Sequence, residues 1–263
     1  MGLPYRYVFV GGLHRSGTSL MTRLLAAHPA IGAIEGAPVP ENEGCYLQGA
    51  IPHTARHGIP GHFATDPSQH MVEGHPLDCL ATRIRLEADW APWFPEGVPW
   101  RVEKSPVNFT RTRLLQALYP LAQFVIVVRH PAHVDQAMRK WGIGAVANFP
   151  LHWCEAHAAV LDDIRYLHAV MVVRYEDLVA APADALAGVF AFLDLDPIAP
   201  CERIADGNLM YADSARSSAV SFERFGYGAL GTTGDYEPIV RHPLRAMRDK
   251  AAALTLGSIR RRA

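Results

Sequence analysis

The sequence predicts an α/β fold, with one domain built around a central parallel β-sheet that is flanked by helices. Short apolar, β-branched runs alternate with helical patterns, as they do in repeated βαβ units. A glycine-containing loop at residues 11–17 lies between the first such run and the first helical pattern. The chain has 263 residues and shows no Pro/Gly/Ser-rich linker, so we expect a single domain over residues 1–263.

The individual elements follow from the hydrophobic pattern. Strands are expected at 5–10, 31–34, 100–102, 124–128 and 170–173. Helices are expected at 19–27, 111–119, 133–141, 151–168 and 183–193, the last of them directly after Pro182, a residue suited to a first helical turn. Residues 36–99 show little regular pattern, and a segment of that length inside a compact domain is usually a lid or a binding loop.

A charged side chain follows every predicted strand. In an open parallel sheet, ligands bind beyond the carboxyl ends of the strands. The groups in chain order are Arg15, Glu35, Lys104, Arg129 and the run Arg174-Tyr175-Glu176-Asp177. We therefore expect these residues to gather at one edge of the sheet and to form the functional site.

The loop after the first strand has the features of an anion-binding cradle. Backbone N–H groups at the start of a helix lack intrahelical partners and carry partial positive charge, so they hold a phosphate without a special side chain. In the pattern G-x-x-x-x-G-K-[ST] of triphosphate-binding loops, Gly12, Gly17 and Ser19 fit, but Thr18 replaces the lysine. The loop is therefore expected to bind a nucleotide without a triphosphate, with Arg15 as its cation.

This loop resembles the 5′-phosphosulfate loop of sulfotransferases that use 3′-phosphoadenosine-5′-phosphosulfate (PAPS) as donor. The run from Arg15 to Met21, followed by Ala27-His28-Pro29, is most similar to the tyrosylprotein and bacterial small-molecule branches. The resemblance extends over about residues 5–197 and is looser over 37–99. It implies a P-loop NTPase-like sulfotransferase fold and transfer of a sulfuryl group from PAPS to an acceptor hydroxyl, with release of adenosine 3′,5′-bisphosphate and without a metal.

The resemblance also implies roles for residues at the strand ends. Arg129 is similar to the arginine of the family that binds the 3′-phosphate, and a guanidinium fork suits phosphate geometry. Lys104, in Glu-Lys-Ser-Pro, is similar to the lysine that approaches the transferring sulfuryl group. Tyr175 belongs to the recurrent signature Arg-Tyr-Glu-Asp-Leu, whose tyrosine lies near the adenine in relatives. The remaining donor contacts are expected from His14, Arg15, Ser16, Gly17, Thr18 and Ser19.

One position on the fourth predicted helix departs from the family pattern. Relatives usually have a serine eight residues after the 3′-phosphate arginine, where this chain has Ala137. One hydroxyl contact is therefore missing. Arg139 or Lys140, a turn further along the same helix, is expected to substitute for it.

A second departure lies near the C-terminus. The animal cytosolic branch closes a glycine-rich segment over the 3′-phosphate, and residues 231–236 have the same glycine spacing. This match makes Thr232 and Thr233 candidate donor contacts. Ala229 and Leu230 occupy the two basic positions of that segment, and a glycine-rich surface loop is the alternative interpretation.

Two glutamates compete for the role of catalytic base. Transfer to a hydroxyl requires in-line attack, a base for the hydroxyl proton and cations near the leaving phosphate. Glu35 lies twenty residues after Arg15, within one residue of the catalytic glutamate of relatives with this type of loop. Glu43 lies in a segment that borders the pocket, and His14 is a third candidate.

The acceptor is expected to bind at residues 36–99, while residues 198–263 form a C-terminal cap. Trp90, Trp93 and Phe94 would offer aromatic faces to a sugar ring, a phenol or a lipid chain alike. The expected partner is therefore a small-molecule hydroxyl compound, with a sugar, a phenol, a lipid and another natural product as open alternatives.

Composition argues against several other classes of function. The formal net charge is −1, so broad attraction to nucleic acid or to an anionic membrane is not expected. No apolar run approaches the ~18 residues of a membrane span, and no signal segment precedes the first strand. Four widely spaced cysteines favour a reducing compartment, so we expect a cytoplasmic protein.

Neither a pair of histidines nor a run of arginines is expected to form a functional site. His53 and His57 have the spacing of a helical metal-ligand pair, but no acidic residue or cysteine lies close enough in sequence to complete a site. No metal is therefore predicted. The arginines at 260–262 are expected to form a solvated tail.

Two other functions fit parts of the sequence. A nucleoside or small-molecule kinase shares the architecture, but the loop lysine is missing and ATP offers no 3′-phosphate to Arg129; dependence on Mg²⁺ would distinguish it. A non-catalytic nucleotide-binding module is the second alternative. The presence of Arg15, Lys104 and both glutamates argues against such a module. A measurement of catalytic turnover would distinguish it from an enzyme.

Overall fold

A mostly parallel sheet organises the fold. The computed structural model describes residues 4–54, 59–140, 146–200, 204–211, 222–228, 231–232 and 236–262. In spatial order, the sheet strands within these ranges are β2 (Ile31–Ala33), β3 (Trp100–Lys104), β1 (Arg6–Gly11), β4 (Gln123–Val128), β5 (Val170–Arg174) and β8 (Val240–Arg241). The first five are parallel and β8 is antiparallel to β5. A separate pair joins β6 (Tyr227–Gly228) to β7 (Gly231–Thr232). The predicted α/β fold is confirmed.

Helices cover both faces of the sheet. They are α1 (Thr18–Ala26), α2 (Leu80–Trp90), α3 (Thr112–Leu118), α4 (Pro131–Arg139), α5 (Phe149–Ile164), α6 (Tyr175–Ala180), α7 (Pro182–Phe192) and α8 (Arg245–Arg262). Alternate residues of β1 serve opposite faces, as the period of a strand requires. Tyr7 and Phe9 belong to the core under α2–α5, whereas Val8 and Val10 belong to the core under α1 and α6–α8.

Helix α2 lies inside segment 36–99, where the hydrophobic pattern predicts little regular structure. Its buried side chains are Thr82, Leu86 and Trp90. The apolar Leu80 and Ile84 face solvent, with 68% and 60% of their surfaces exposed. Because apolar residues occur on both sides of this helix, its amphipathic period is hidden in the sequence.

The C-terminal elements β8 and α8 are also absent from the sequence prediction. β8 has only two residues, and α8 is a polar helix of 18 residues that lies against α7. Gly188 allows this close approach, because a Cβ atom there would lie 2.9 Å from Oγ1 of Thr255. The helix includes the backbone of residues 260–262, which the sequence interpretation treats as a tail.

The described ranges contain neither a candidate membrane span nor a candidate metal cluster. None of the helices in those ranges is both long enough and apolar enough to cross a membrane. Among the same residues, no group of three or more His, Cys, Asp or Glu side chains could hold a metal ion. His57, one half of the spacing noted in the sequence, lies outside the described residues.

Candidate active site

The loop after β1 forms a tight turn that ends at the first residue of α1. Gly12 has no room for a side chain, because a Cβ atom there would lie 2.5 Å from the carbonyl oxygen of Val127. Gly17 has a φ of 106°, and a Cβ on it would lie 2.6 Å from the ring of Tyr175. α1 begins at Thr18, and no described side chain caps its start. The helix start can therefore receive an anion.

The loop borders a cavity of about 210 Å³, called here the loop cavity. Its lining combines the loop with strand ends and with the segment after β2: His14, Arg15, Gly17, Thr18, Ser19, Glu41, Glu43, Pro106 and Arg129. Ser16 is buried, and its N–H donates to the carbonyl oxygen of Leu13. The structure thus brings the loop, Arg129 and one of the two candidate glutamates together at the carboxyl edge of the sheet.

Arg129 is held in a defined orientation at the end of β4. Its Nε donates to Oδ1 of Asn208 at 2.8 Å, and its Nη1 donates to the carbonyl oxygen of Arg15 at 2.9 Å. The guanidinium also lies over the ring of Tyr175, with 4.3 Å between Cζ and the ring centroid. Tyr175 therefore contacts both the loop, at Gly17, and Arg129, the residue predicted to bind the 3′-phosphate.

His14 joins the loop to the segment that follows β2. Its Nδ1 accepts a hydrogen bond from the N–H of Gly61 at 3.1 Å, and His152 Nε2 contacts the carbonyl oxygen of the same glycine at 3.0 Å. Burial, reinforced by Lys104 and Arg15, lowers the pKa of His14 to about 4. His14 is therefore neutral near pH 7, with one ring nitrogen already used, which makes it a poor candidate for the base.

Glu43 and Lys104 form a buried ion pair. Lys104 Nζ donates to Glu43 Oε1 at 2.9 Å, and the two side chains are 3% and 9% exposed. Burial raises the pKa of Glu43, although the ammonium of Lys104 acts in the opposite direction. A carboxylate with a raised pKa that lines the loop cavity is suited to accepting a proton from a hydroxyl.

Glu103 and Ser105, at the end of β3, fix the segment that carries Glu43. Glu103 Oε1 accepts from the N–H of Gly44 at 3.0 Å and from Ser105 Oγ at 2.6 Å. Ser105 Oγ in turn accepts from the N–H of Cys45 at 2.9 Å. The sequence pattern predicts no role for either residue. The signal available in the sequence was a polar pair directly after an apolar strand.

Glu35 lies in a second cavity that adjoins the first. This Glu35 cavity has a volume of about 350 Å³ and shares Ser19 and Glu41 with the loop cavity. Lys104 also lines it, so the Lys104–Glu43 pair lies between the two cavities. Glu35 is exposed, and within the described residues its carboxylate makes no hydrogen bond or ion pair.

The signature at 174–177 fastens the C-terminal part of the chain to the sheet. Arg174 makes a two-point ion pair with Asp177, with Nε–Oδ2 and Nη2–Oδ1 distances of 2.8 and 2.7 Å. Tyr236 donates its hydroxyl to Asp177 at 3.0 Å, and Tyr227 donates to Glu176 Oε2 at 2.8 Å. Three of the four side chains in this signature, Arg174, Glu176 and Asp177, therefore make contacts that stabilise the fold.

The remaining predicted donor contacts lie away from the loop cavity lining or outside the described residues. Ala137 is buried in α4, and Arg139 is exposed with its Nε bonded to Asp135 Oδ1 at 3.0 Å. Thr232 lies in β7, paired with Tyr227, and Thr233 is outside the described residues. Donor binding by these residues stays a prediction.

The aromatic residues proposed for acceptor binding are largely core residues. Trp90 and Phe94 are 3% and 6% exposed, and their ring centroids lie 5.9 and 6.0 Å from that of Tyr7. Trp90 also donates its Nε1–H to the carbonyl oxygen of Gly44 at 2.9 Å. The prediction that these rings offer faces to an acceptor is therefore wrong for Trp90 and Phe94.

Comparisons with known proteins point to one family. The model described as "Sulfotransferase family" matches residues 7–199. The chain is similar to the sulfotransferase domain of the Synechococcus PCC 7002 olefin synthase, at 17% identity over 96% of this chain and 95% of that one, with a TM-score of 0.48. It is also similar to a sulfotransferase from Alicyclobacillus acidocaldarius, at 18% identity over 79% and 90% of the two chains, with a TM-score of 0.49. No curated protein matches the chain.

The family model covers most of the chain, including every strand of the parallel part of the sheet except the first residue of β1. The chain therefore belongs to the sulfotransferase family, and it is an enzyme that transfers sulfuryl groups.

Proposed function

We propose that this sulfotransferase takes its sulfuryl group from PAPS and transfers it to the hydroxyl of a small acceptor, releasing adenosine 3′,5′-bisphosphate. The observation that carries the proposal is the loop cavity, where a helix start and two arginines face a glutamate paired with a buried lysine. Cations and backbone N–H groups suit a nucleotide that carries an anion at each end.

The residues present fit such a donor. The start of α1, with Arg15 and the hydroxyls of Thr18 and Ser19, would hold the 5′-phosphosulfate. Arg129 lines the same cavity from β4 and would hold the 3′-phosphate. Thr18 offers no cation for β- and γ-phosphates, so the same cavity fits ATP less well.

The chemistry requires one proton acceptor and one cation near the breaking bond. As the acceptor oxygen forms its bond to sulfur, the bond between sulfur and the bridging oxygen of the donor breaks, and negative charge grows on the leaving phosphate. Lys104 is placed to stabilise that charge, and Glu43 is placed to accept the hydroxyl proton. The acceptor would approach through the Glu35 cavity, because Lys104 lines that side.

The first test is transfer of radiolabelled sulfate from PAPS in the presence of EDTA. The purified protein would be offered phenols, sugars, glycolipids and hydroxylated natural products as acceptors. We expect labelled product without Mg²⁺, because the 5′-phosphosulfate of the donor offers no β- and γ-phosphate oxygens for a metal ion to bridge, and we expect ATP to bind no more tightly than AMP. A requirement for Mg²⁺ together with consumption of ATP would show that the protein is a kinase instead.

Recognition of the 3′-phosphate is expected to depend on Arg129. Arg129→Ala removes a charge-assisted contact of about 1.5–3 kcal/mol, so affinity for adenosine 3′,5′-bisphosphate should fall at least about tenfold. Affinity for AMP should change little. Titration calorimetry with both ligands measures the difference, and Arg165→Ala, at an exposed arginine after α5, serves as the matched control. Equal losses for the two ligands would contradict the assignment.

A further inference from the structure

Asn208 is a side chain of the C-terminal part of the chain that contacts Arg129. It lies in a short 3₁₀ helix, Gly207–Tyr211, and is 8% exposed. Its Oδ1 accepts from Arg129 Nε at 2.8 Å. Its own N–H donates to Asp206 Oδ1 at 2.8 Å, which fixes the backbone at this point.

The amide of Asn208 has only one orientation that satisfies both of its neighbours. Arginine has donors and no acceptor, so the oxygen must face Arg129. The nitrogen then faces Glu176, with 3.5 Å between Nδ2 and Oε1. Glu176 also accepts from the N–H of His130 at 3.0 Å and from the hydroxyl of Tyr227 at 2.8 Å. Glu176 is thus fixed independently, and it constrains the amide.

The backbone beside Asn208 contacts the same aromatic ring that supports Arg129. The N–H of Gly207 donates to the hydroxyl of Tyr175 at 2.8 Å. A Cβ atom on Gly207 would lie 2.9 Å from that hydroxyl and 3.6 Å from Arg129 Nη2. The segment therefore packs tightly against the Tyr175 hydroxyl and lies within van der Waals reach of the guanidinium.

We infer that Asn208 is a positioning residue for Arg129 and thereby determines selectivity for a nucleotide with a 3′-phosphate. An arginine held at Nε keeps the end of its guanidinium in one orientation, so less conformational freedom is lost when a phosphate binds there. Ala137, on the nearby helix α4, is buried and apolar, so its side chain offers no hydrogen bond to this part of the site. The inference rests on the proposed function, because it assigns the 3′-phosphate to Arg129.

The test compares binding of adenosine 3′,5′-bisphosphate and AMP by titration calorimetry to the wild type and to variants. In Asn208→Ala, the ratio of the two affinities should fall at least about fivefold, the size expected when one hydrogen bond stops orienting the arginine. Asn208→Leu has nearly the same size and no charge but offers no acceptor to Nε, so the ratio should fall by a similar factor. Leu209→Ala, next along the 3₁₀ helix and 74% exposed, is the matched control and should keep the wild-type ratio.

The outcomes separate the inference from the proposal on which it rests. If Arg129→Ala leaves the affinity ratio unchanged, the 3′-phosphate is bound elsewhere and the donor assignment fails. If Arg129→Ala lowers the ratio and both Asn208 variants keep it, only the positioning role is overturned. A general loss of folding in Asn208→Ala would lower both affinities together, and the ratio in Asn208→Leu, which keeps the size of the side chain, then decides.

Discussion

Lys104→Ala should lower kcat by about a hundredfold or more, with a smaller change in donor binding. The ammonium of Lys104 is proposed to meet charge that develops on the bridging oxygen only as the S–O bond breaks. An interaction made mainly in the transition state affects the rate of the chemical step more than it affects ground-state binding. Single-turnover kinetics with PAPS and the acceptor found in the transfer screen would measure it.

The control for Lys104→Ala must address the buried partner. Removing the lysine leaves the Glu43 carboxylate buried without its ion pair, which typically costs about 3–5 kcal/mol of stability. The double variant Lys104→Ala/Glu43→Gln should recover thermal stability and should remain inactive. Lys250→Ala, at an exposed lysine of α8, should keep the wild-type rate. An unchanged single-turnover rate in Lys104→Ala would remove the lysine from the mechanism.

The part of the site at the strand ends could be predicted because it follows from the fold. Parallel strands end at one edge, and each strand that the pattern predicts is fully or almost fully buried. Arg15, Lys104 and Arg129 therefore converge, as the sequence pattern predicts. The spacing of Gly12 and Gly17 similarly reflects close backbone contacts with Val127 and Tyr175 that are local to the loop.

The part that could not be predicted depends on contacts between distant positions. Glu43 reaches the site because Glu103 and Ser105 bind the backbone that follows it, across sequence separations of 59 and 60 residues. Asn208 reaches Arg129 across a sequence separation of 79 residues. No local period or motif records such pairings. The burial of Trp90 is hidden from the sequence for the same reason, since its environment is a core formed by other segments.

Glu43→Gln should lower the rate of transfer by roughly 10²–10⁴. Glu35→Gln should lower the rate much less, only as far as it disturbs the position of the bound acceptor. The two changes are matched, because each keeps the size of the side chain and removes its ability to accept a proton. Glu43 is favoured as the base because it is buried, lines the loop cavity and contacts Lys104. Single-turnover rates with an acceptor hydroxyl of high pKa provide the measurement, since a phenol loses its proton too easily to need a base.

The dependence of activity on pH is a second, independent test of Glu43 as the catalytic base. The base must be ionised to act, so activity should fall as pH decreases through the pKa of Glu43. Burial raises that pKa, which places the acidic limb of the profile above the ordinary range of a glutamate. Glu43→Gln should abolish this limb in the residual activity, and Glu35→Gln should retain it. If Glu35→Gln abolished the limb and carried the larger loss of rate, Glu35 would be the base and the buried pair would serve only to hold Lys104.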